Sequence, residues 1–96
     1  MLNGEGTFVH CRLGRGLFST ECSVRLESIE GPVDFFVDDS FVRSERTLSG
    51  DEKVDGLLTV RIIAEQGNDV LVHLPTQSSP TFSRVWVPRN ILRPAA

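Results

Sequence analysis

Several features that would point directly to a function are missing from this 96-residue chain. No stretch approaches the ~20 consecutive apolar residues of a membrane-spanning helix, which argues against an integral membrane protein of the helical type. The first residues, MLNGEGTFVHC, lack both the basic and the apolar region of a secretion signal, so we expect a cytoplasmic protein. In that compartment Cys11 and Cys22 are expected to be free thiols rather than a disulfide.

Motifs for catalysis and metal binding are also missing. Four side chains are candidate zinc ligands: His10, Cys11, Cys22 and His73. No C-x₂-C pair joins them, and His10 and Cys11, as consecutive residues of a strand, would point to opposite faces. There is no G-x-S-x-G nucleophile motif and no EF-hand calcium loop. The sequence therefore predicts a protein that is not an enzyme and holds no metal or cofactor, with Cys22 in the core and His73 in solvent.

Tyrosine is absent, and Trp86 and Lys53 are the only residues of their types. Nine of the ten basic residues are thus arginine, whose planar fork binds carboxylates and phosphates, although genomic base composition would explain the same bias. The net charge of −3 gives no whole-chain case for nucleic-acid binding. The charge is uneven, since residues 1–56 hold six basic and eleven acidic side chains whereas residues 57–96 hold four and two. This division predicts a polarised surface.

Apolar side chains recur with period two, and no long window keeps the apolar stripe of a helix. The pattern predicts an all-β protein with five or six short antiparallel strands. In 21–29, Cys22, Val24 and Leu26 share the inner face, and in 57–65 the inner face is assigned to Leu58, Val60, Ile62 and Ala64. The predicted strands cover residues 7–13, 21–29, 33–37, 57–65, 70–74 and 81–87.

The connecting segments are predicted from turn chemistry. Glu30-Gly31-Pro32 indicates a turn, and 66–69 indicates a hairpin loop. Residues 38–43 are either a short helical turn capped by Asp38 or Asp39, or further strand. Residues 44–56 are polar and predict a long loop, which we interpret either as a tolerated insertion or as a recognition loop.

The stretch Arg84–Leu92, RVWVPRNIL, resembles the end of an SH3 domain, in which an aromatic residue, a proline and an asparagine recur at the spacing of Trp86, Pro88 and Asn90. Ile91 occupies the position where that family usually has tyrosine. The resemblance covers about the last forty residues and implies one small SH3-like antiparallel barrel over 1–96, in which proline opens a 3₁₀ turn before a short final strand. SH3 domains bind proline-rich ligands on tyrosine and tryptophan rings, so the absence of tyrosine argues against that ligand.

Two groups of side chains are candidate partner-binding residues. Arg84 and Trp86, two positions apart on one strand, share a face, and Arg89 follows in the closing turn. The alternative for Trp86 is a place in the core. The second group is acidic and lies along the predicted 21–37 hairpin, either as a solvated sheet edge or as a docking patch: Asp34, Asp38 and Asp39, with Glu27 and Glu30.

These observations favour a non-catalytic module that binds a protein partner, as a monomer or weak homodimer. One alternative is a small β-barrel that binds nucleic acid through its C-terminal arginines, Arg61, Arg84, Arg89 and Arg93. A second alternative is a structural subunit of a larger assembly, for which an exposed apolar patch would be the sign.

Overall fold

The computed structural model describes residues 7–44, 53–75 and 83–94. Within these ranges the protein is all-β and antiparallel, which confirms the predicted class. No helix in the described part of the chain is long and apolar enough to cross a membrane. The described strands are β1 (Thr7–Arg15), β2 (Glu21–Ser28), β3 (Gly31–Asp38), β4 (Val42–Arg43), β5 (Val54–Thr59), β6 (Arg61–Gln66), β7 (Asp69–His73), β8 (Arg84–Pro88) and β9 (Leu92–Pro94).

The strands form two sheets. The larger has the order β3-β2-β1-β5-β4, with β9 added to β1, and the smaller has the order β6-β7-β8. The described residues thus give nine strands instead of five or six, and they do not close into a barrel. The count rises because the chain changes sheet inside a predicted strand, and because short strands follow each of the two 3₁₀ turns.

One strand passes from the larger sheet into the smaller one. β5 and β6 are separated only by Val60, which is buried and donates its backbone N–H to the Thr7 carbonyl at 3.0 Å. At the opposite side of the small sheet, the N–H of Ile29 donates to the Trp86 carbonyl at 3.0 Å. The two sheets share a single apolar core, whose most deeply buried members are Leu13, Leu26, Leu58, Leu74, Val9, Val24, Val70, Val72 and Val87.

Alternation predicts the facing of most strands correctly. Cys22, Val24 and Leu26 are all buried, as expected. The inward assignment is wrong for Ala64, because the register shifts between Ile62 and Ala64. The extra residue reverses the phase of the strand, so that Ala64 pairs with Leu71 on the outer face. Ile62 keeps the inner phase opposite Val72 but is 37% exposed, because β6 is an edge strand.

Two predicted connections are shorter than expected. The turn before β3 consists of Ile29 and Glu30, and Gly31 and Pro32 already belong to the strand, with Gly31 at a φ of 116° that favours glycine. The predicted loop over 44–56 ends sooner, because Val54–Thr59 is a strand. Residues 45–52 of that loop and residues 81–82 of the predicted last strand lie outside the described residues.

The two predicted turns near the strand ends are present. Residues Asp39–Phe41 form a 3₁₀ turn in which the Asp38 carboxylate accepts a hydrogen bond from the Ser40 N–H at 3.2 Å, so Asp38 is the cap. Pro88 precedes the second 3₁₀ turn, Arg89–Ile91, and the final strand β9 then pairs with β1. The sequence pattern thus correctly predicts a 3₁₀ turn after Pro88 and a short final strand.

Candidate binding surfaces

A row of basic side chains crosses the outer face of the small sheet. Arg61 of β6 pairs with His73 of β7, and His73 pairs with Arg84 of β8. Direct cross-strand neighbours lie about 5 Å apart, so the row spans about 10 Å. All three side chains are exposed, and within the described residues none of them makes a side-chain hydrogen bond or ion pair. Two permanent positive charges therefore lie close together without a counter-charge in this part of the chain.

An apolar pair lies beside this row. Trp86 pairs directly with Leu71, and both are half-buried on the outer face of the small sheet. Their neighbours Val70 and Val87 point the other way, into the core. Trp86 is therefore neither a core residue nor a fully solvated one, and it shares its face with Arg84 as their spacing predicts.

Arg89 has a different role from its sequence neighbours. Its guanidinium donates to the Glu65 carboxylate at 2.7 Å and to the Gly67 carbonyl at 2.9 Å, while its backbone N–H donates to the Asn68 carbonyl at 2.7 Å. These three bonds tie the closing turn to the β6–β7 hairpin loop. The Arg89 fork is thus occupied inside the molecule.

Most other described arginines are occupied as well. Arg12 and Arg25 form ion pairs with aspartates, Arg43 lies 4.8 Å from the centre of the Phe8 ring, and Arg93 donates to backbone carbonyls. The arginines without such a contact in the described ranges are Arg15, Arg61 and Arg84. Arg61 and Arg84 stand out because they lie in one row.

The acidic candidates belong to the larger sheet. Asp34 lies opposite Arg25, with 3.7 Å between carboxylate and guanidinium, and Asp38 and Asp39 lie at the far end of β3. Glu27 and Glu30 are exposed on the same hairpin. Among the described residues no hydrogen bond or ion pair joins Asp34, Asp38 or Asp39 to the group of Arg84, Trp86 and Arg89. The structure therefore does not connect the two predicted groups into one site.

A groove of about 600 Å³ lies beside the Asp38 end of β3. Phe18, in the turn between β1 and β2, forms part of it, and Glu21 lies directly opposite Asp38 in the strand register. The other described lining residues are Thr20, Phe36, Val37, Phe41 and Pro75. The sequence analysis does not identify Phe18, because turn residues follow no period; the only signal in the sequence is a Leu-Phe pair directly after Gly16.

A second groove, of about 810 Å³, contains the only described histidine–aspartate pair. The His10 Nε2 lies 3.3 Å from Asp55 Oδ1, and Arg12 Nε lies 3.6 Å from the same oxygen. The neighbouring thiol of Cys11 points into the core, where burial, with smaller contributions from Asp55 and Cys22, raises its pKa to about 12. A thiol that stays protonated at neutral pH is a poor nucleophile, so Cys11 gives this groove no reactive group.

The described residues include no group of three or more His, Cys, Asp or Glu side chains placed to hold a metal ion. Comparison with known proteins gives no match: no family model, no curated protein and no solved structure is detectably similar to this chain. Function must therefore be inferred from the surfaces of the chain itself.

Proposed function

We propose that this protein is a non-catalytic binding module that recognises a protein partner through the outer face of its small sheet. The basic row of Arg61, His73 and Arg84, beside the half-buried pair of Leu71 and Trp86, carries the proposal. The partner would supply carboxylates next to apolar side chains. Arg89 is assigned a structural part, because its fork already binds the β6–β7 hairpin.

Physical arguments support this face over the rest of the surface. The side chains of Arg61 and Arg84 have no hydrogen-bond or ion-pair partner among the described residues, so the carboxylates of a partner can form paired hydrogen bonds to both guanidinium groups. Tryptophan and arginine are the side chains that most often dominate the binding energy of protein interfaces. Here Arg84 and Trp86 lie two positions apart on the same face of β8, so one ligand segment can reach both.

The fold and compartment form part of the proposal. We propose an SH3-like fold, supported by the Pro88 turn and the final strand that pairs with β1. We also propose a cytoplasmic location, supported by two buried free thiols, which a reducing compartment maintains.

Charge reversal at Arg84 tests the proposed face. We expect Arg84→Glu to lose proteins that the wild type captures from native extract, because the partner's carboxylates would then be repelled. The matched control is Arg15→Glu, since Arg15 is another exposed arginine without a side-chain partner in the described ranges. Trp86→Ala should also weaken capture and keep the wild-type circular dichroism. Equal capture by wild type and Arg84→Glu would contradict the proposal.

Nucleic acid is the second candidate ligand, because the same row and the same aromatic ring could bind phosphates and stack on bases. A titration with labelled single-stranded DNA and RNA at two salt concentrations separates the candidates. Binding that weakens steeply with salt and is lost in Arg84→Glu would favour nucleic acid over a protein partner. Absence of binding at low salt would remove this candidate.

A further inference from the structure

We infer that the groove beside the Asp38 end of β3 binds a segment of a partner protein in which cationic and apolar side chains alternate. This surface is separate from the outer face of the small sheet and does not depend on the function proposed for that face. Two properties of this surface indicate which ligand it binds: an exposed apolar turn and a concentration of carboxylates.

The apolar part of the surface is held in place by its own turn. Leu17 and Phe18 are 76% and 71% exposed, the highest values among the large apolar side chains of the described residues. The Leu17 N–H donates to the Glu21 carboxylate at 2.8 Å, and the Glu21 N–H donates to the Phe18 carbonyl at 3.1 Å. These bonds hold the backbone of the turn, from which Phe18 lines the groove and Leu17 extends into solvent beside it, and a preformed turn reduces the entropy lost when a ligand binds.

The charged part consists of the carboxylates of Glu21 and Asp38, which line the groove, and that of Asp39, the next residue in the chain. Glu21 and Asp38 are direct cross-strand neighbours, and Asp39 follows at the start of the 3₁₀ turn. No basic side chain of the described residues forms an ion pair with any of the three. Burial, and after it these same three carboxylates, raises the pKa of Cys22, in agreement with their closeness in the strand register.

Charge complementarity identifies the occupant. An arginine or lysine beside an apolar residue would pair with the carboxylates while its apolar neighbour covers Phe18. Anionic segments and nucleic acid are repelled by the same charges. The groove and the basic row of the small sheet thus select ligands of opposite charge.

A labelled short peptide in which arginine and leucine alternate is the probe, and fluorescence anisotropy is the measurement. We expect the wild type to bind it, and to bind neither a peptide of alternating glutamate and leucine nor one of alternating arginine and serine. Asp39→Lys and Phe18→Ser should each weaken binding about tenfold or more, because one adds repulsion and the other removes apolar contact. Asp39 is chosen over Asp38 because the Asp38 carboxylate caps the 3₁₀ turn.

Two control variants match these changes. Glu27→Lys makes the same change of charge on an exposed residue of the same hairpin, and Ile29→Ser removes an apolar side chain that is 48% exposed in the β2–β3 turn. Both should bind the peptide like the wild type, as should Arg84→Glu, which tests the other surface. Thermal melting of each variant verifies folding.

The outcomes are separable. Failure of the wild type to bind the peptide, or equal loss in Asp39→Lys and Glu27→Lys, would overturn the inference, since the second result indicates only general attraction to an acidic protein. Self-association in ultracentrifugation that is lost both in Phe18→Ser and in Arg84→Glu would also overturn it, because it would assign the groove to a second copy of the chain.

Discussion

The two cysteines are buried, and burial determines the reactivity of their thiols. The Cys11 Sγ lies 3.7 Å from the Gly56 carbonyl oxygen, and Cys22 sits in the same core. Burial raises the pKa of both thiols, that of Cys11 to about 12. Because an exposed thiol is ionised more easily, folding protects these groups from oxidation and alkylation at neutral pH.

The raised pKa of Cys11 predicts a specific dependence of stability on pH. Below the ordinary thiol value of 9.0 the group is protonated in both states and has no effect on the slope. Between 9.0 and about 12 the unfolded chain loses the proton and the folded protein keeps it, so stability falls as pH rises. We expect a slope of up to about 1.4 kcal/mol per pH unit in this window.

Urea unfolding at several alkaline pH values measures this slope. Cys11→Val is the control, since it keeps an apolar side chain and removes the titrating group, and its free energy of unfolding should fall less steeply with pH than that of the wild type. Parallel pH profiles for the two proteins would show that Cys11 does not carry the effect.

Three residues show which features of the fold the sequence predicts and which it does not. The sequence correctly predicts that Cys22 is buried, because a strand alternates strictly between its two faces. The predicted inward position of Ala64 is wrong because one extra residue in β6 reverses that alternation. The local composition does not reveal this bulge. The sequence does not predict that Arg89 binds the β6–β7 hairpin, because its carboxylate partner, Glu65, lies 24 positions earlier in the chain. Such a pair forms only once the hairpin and the closing turn are assembled.

Among the strands, β6 is the one most dependent on support from outside its sheet. All six of its residues are exposed, and within the small sheet it pairs only with β7. The hairpin turn that follows contains Gly67 at a φ of 61°, and the Arg89 side chain binds Glu65 before this turn and Gly67 within it. The ion pair is partly exposed, at 44% and 53% for the two side chains, so its contribution is modest.

Removal of the Arg89 side chain should therefore loosen the hairpin without unfolding the protein. We expect Arg89→Ala to lower the free energy of unfolding by about 1 kcal/mol, through loss of one ion pair and one hydrogen bond to a carbonyl. Amide hydrogen exchange should accelerate mainly in β6 and in the loop before β7. Arg15→Ala is the control and should leave exchange unchanged. Protection of the hairpin that equals the wild type would show that Arg89 does not support it.

The closing element was the most predictable part of the fold. Pro88 fixes its own φ and cannot donate a hydrogen bond, so the strand ends there and a 3₁₀ turn follows. The partition into two sheets was not predictable, because the passage of the chain through Val60 breaks no alternation and leaves no turn residue in the sequence. The sequence pattern therefore indicates strands reliably but not the sheet to which each belongs.

At the scale of the whole molecule, the uneven charge of the sequence becomes a spatial division. Two arginines without a side-chain partner among the described residues, Arg61 and Arg84, lie together on the small sheet, whereas Glu21, Asp38 and Asp39 lie together at one end of the β2–β3 hairpin in the large sheet. The composition indicates an uneven distribution of charge, since the first 56 residues hold eleven of the thirteen acids. The composition does not predict that both groups of charges lie beside exposed or half-buried apolar side chains.

The shared core predicts that the two sheets unfold together. Trp86 reports on the small sheet by fluorescence, while far-ultraviolet circular dichroism reports mainly on the large one. Because β5 and β6 are continuous through the buried Val60, we expect the urea transitions seen by the two probes to coincide. Val60→Ala should shift both midpoints equally to lower urea, whereas Ser19→Ala, at an exposed turn, should shift neither. Two separate transitions would show that the small sheet folds independently.

Strand β2 gives the two surfaces a common support. It begins at Glu21, whose carboxylate holds the apolar turn, and the residue after its last one, Ile29, donates to the Trp86 carbonyl. At about 3.3 Å per residue, the eight steps from Glu21 to Ile29 span roughly 26 Å. The hydrogen bond from the Ile29 N–H to the Trp86 carbonyl therefore fastens strand β8 to the end of β2, so that the two surfaces are held on one common strand.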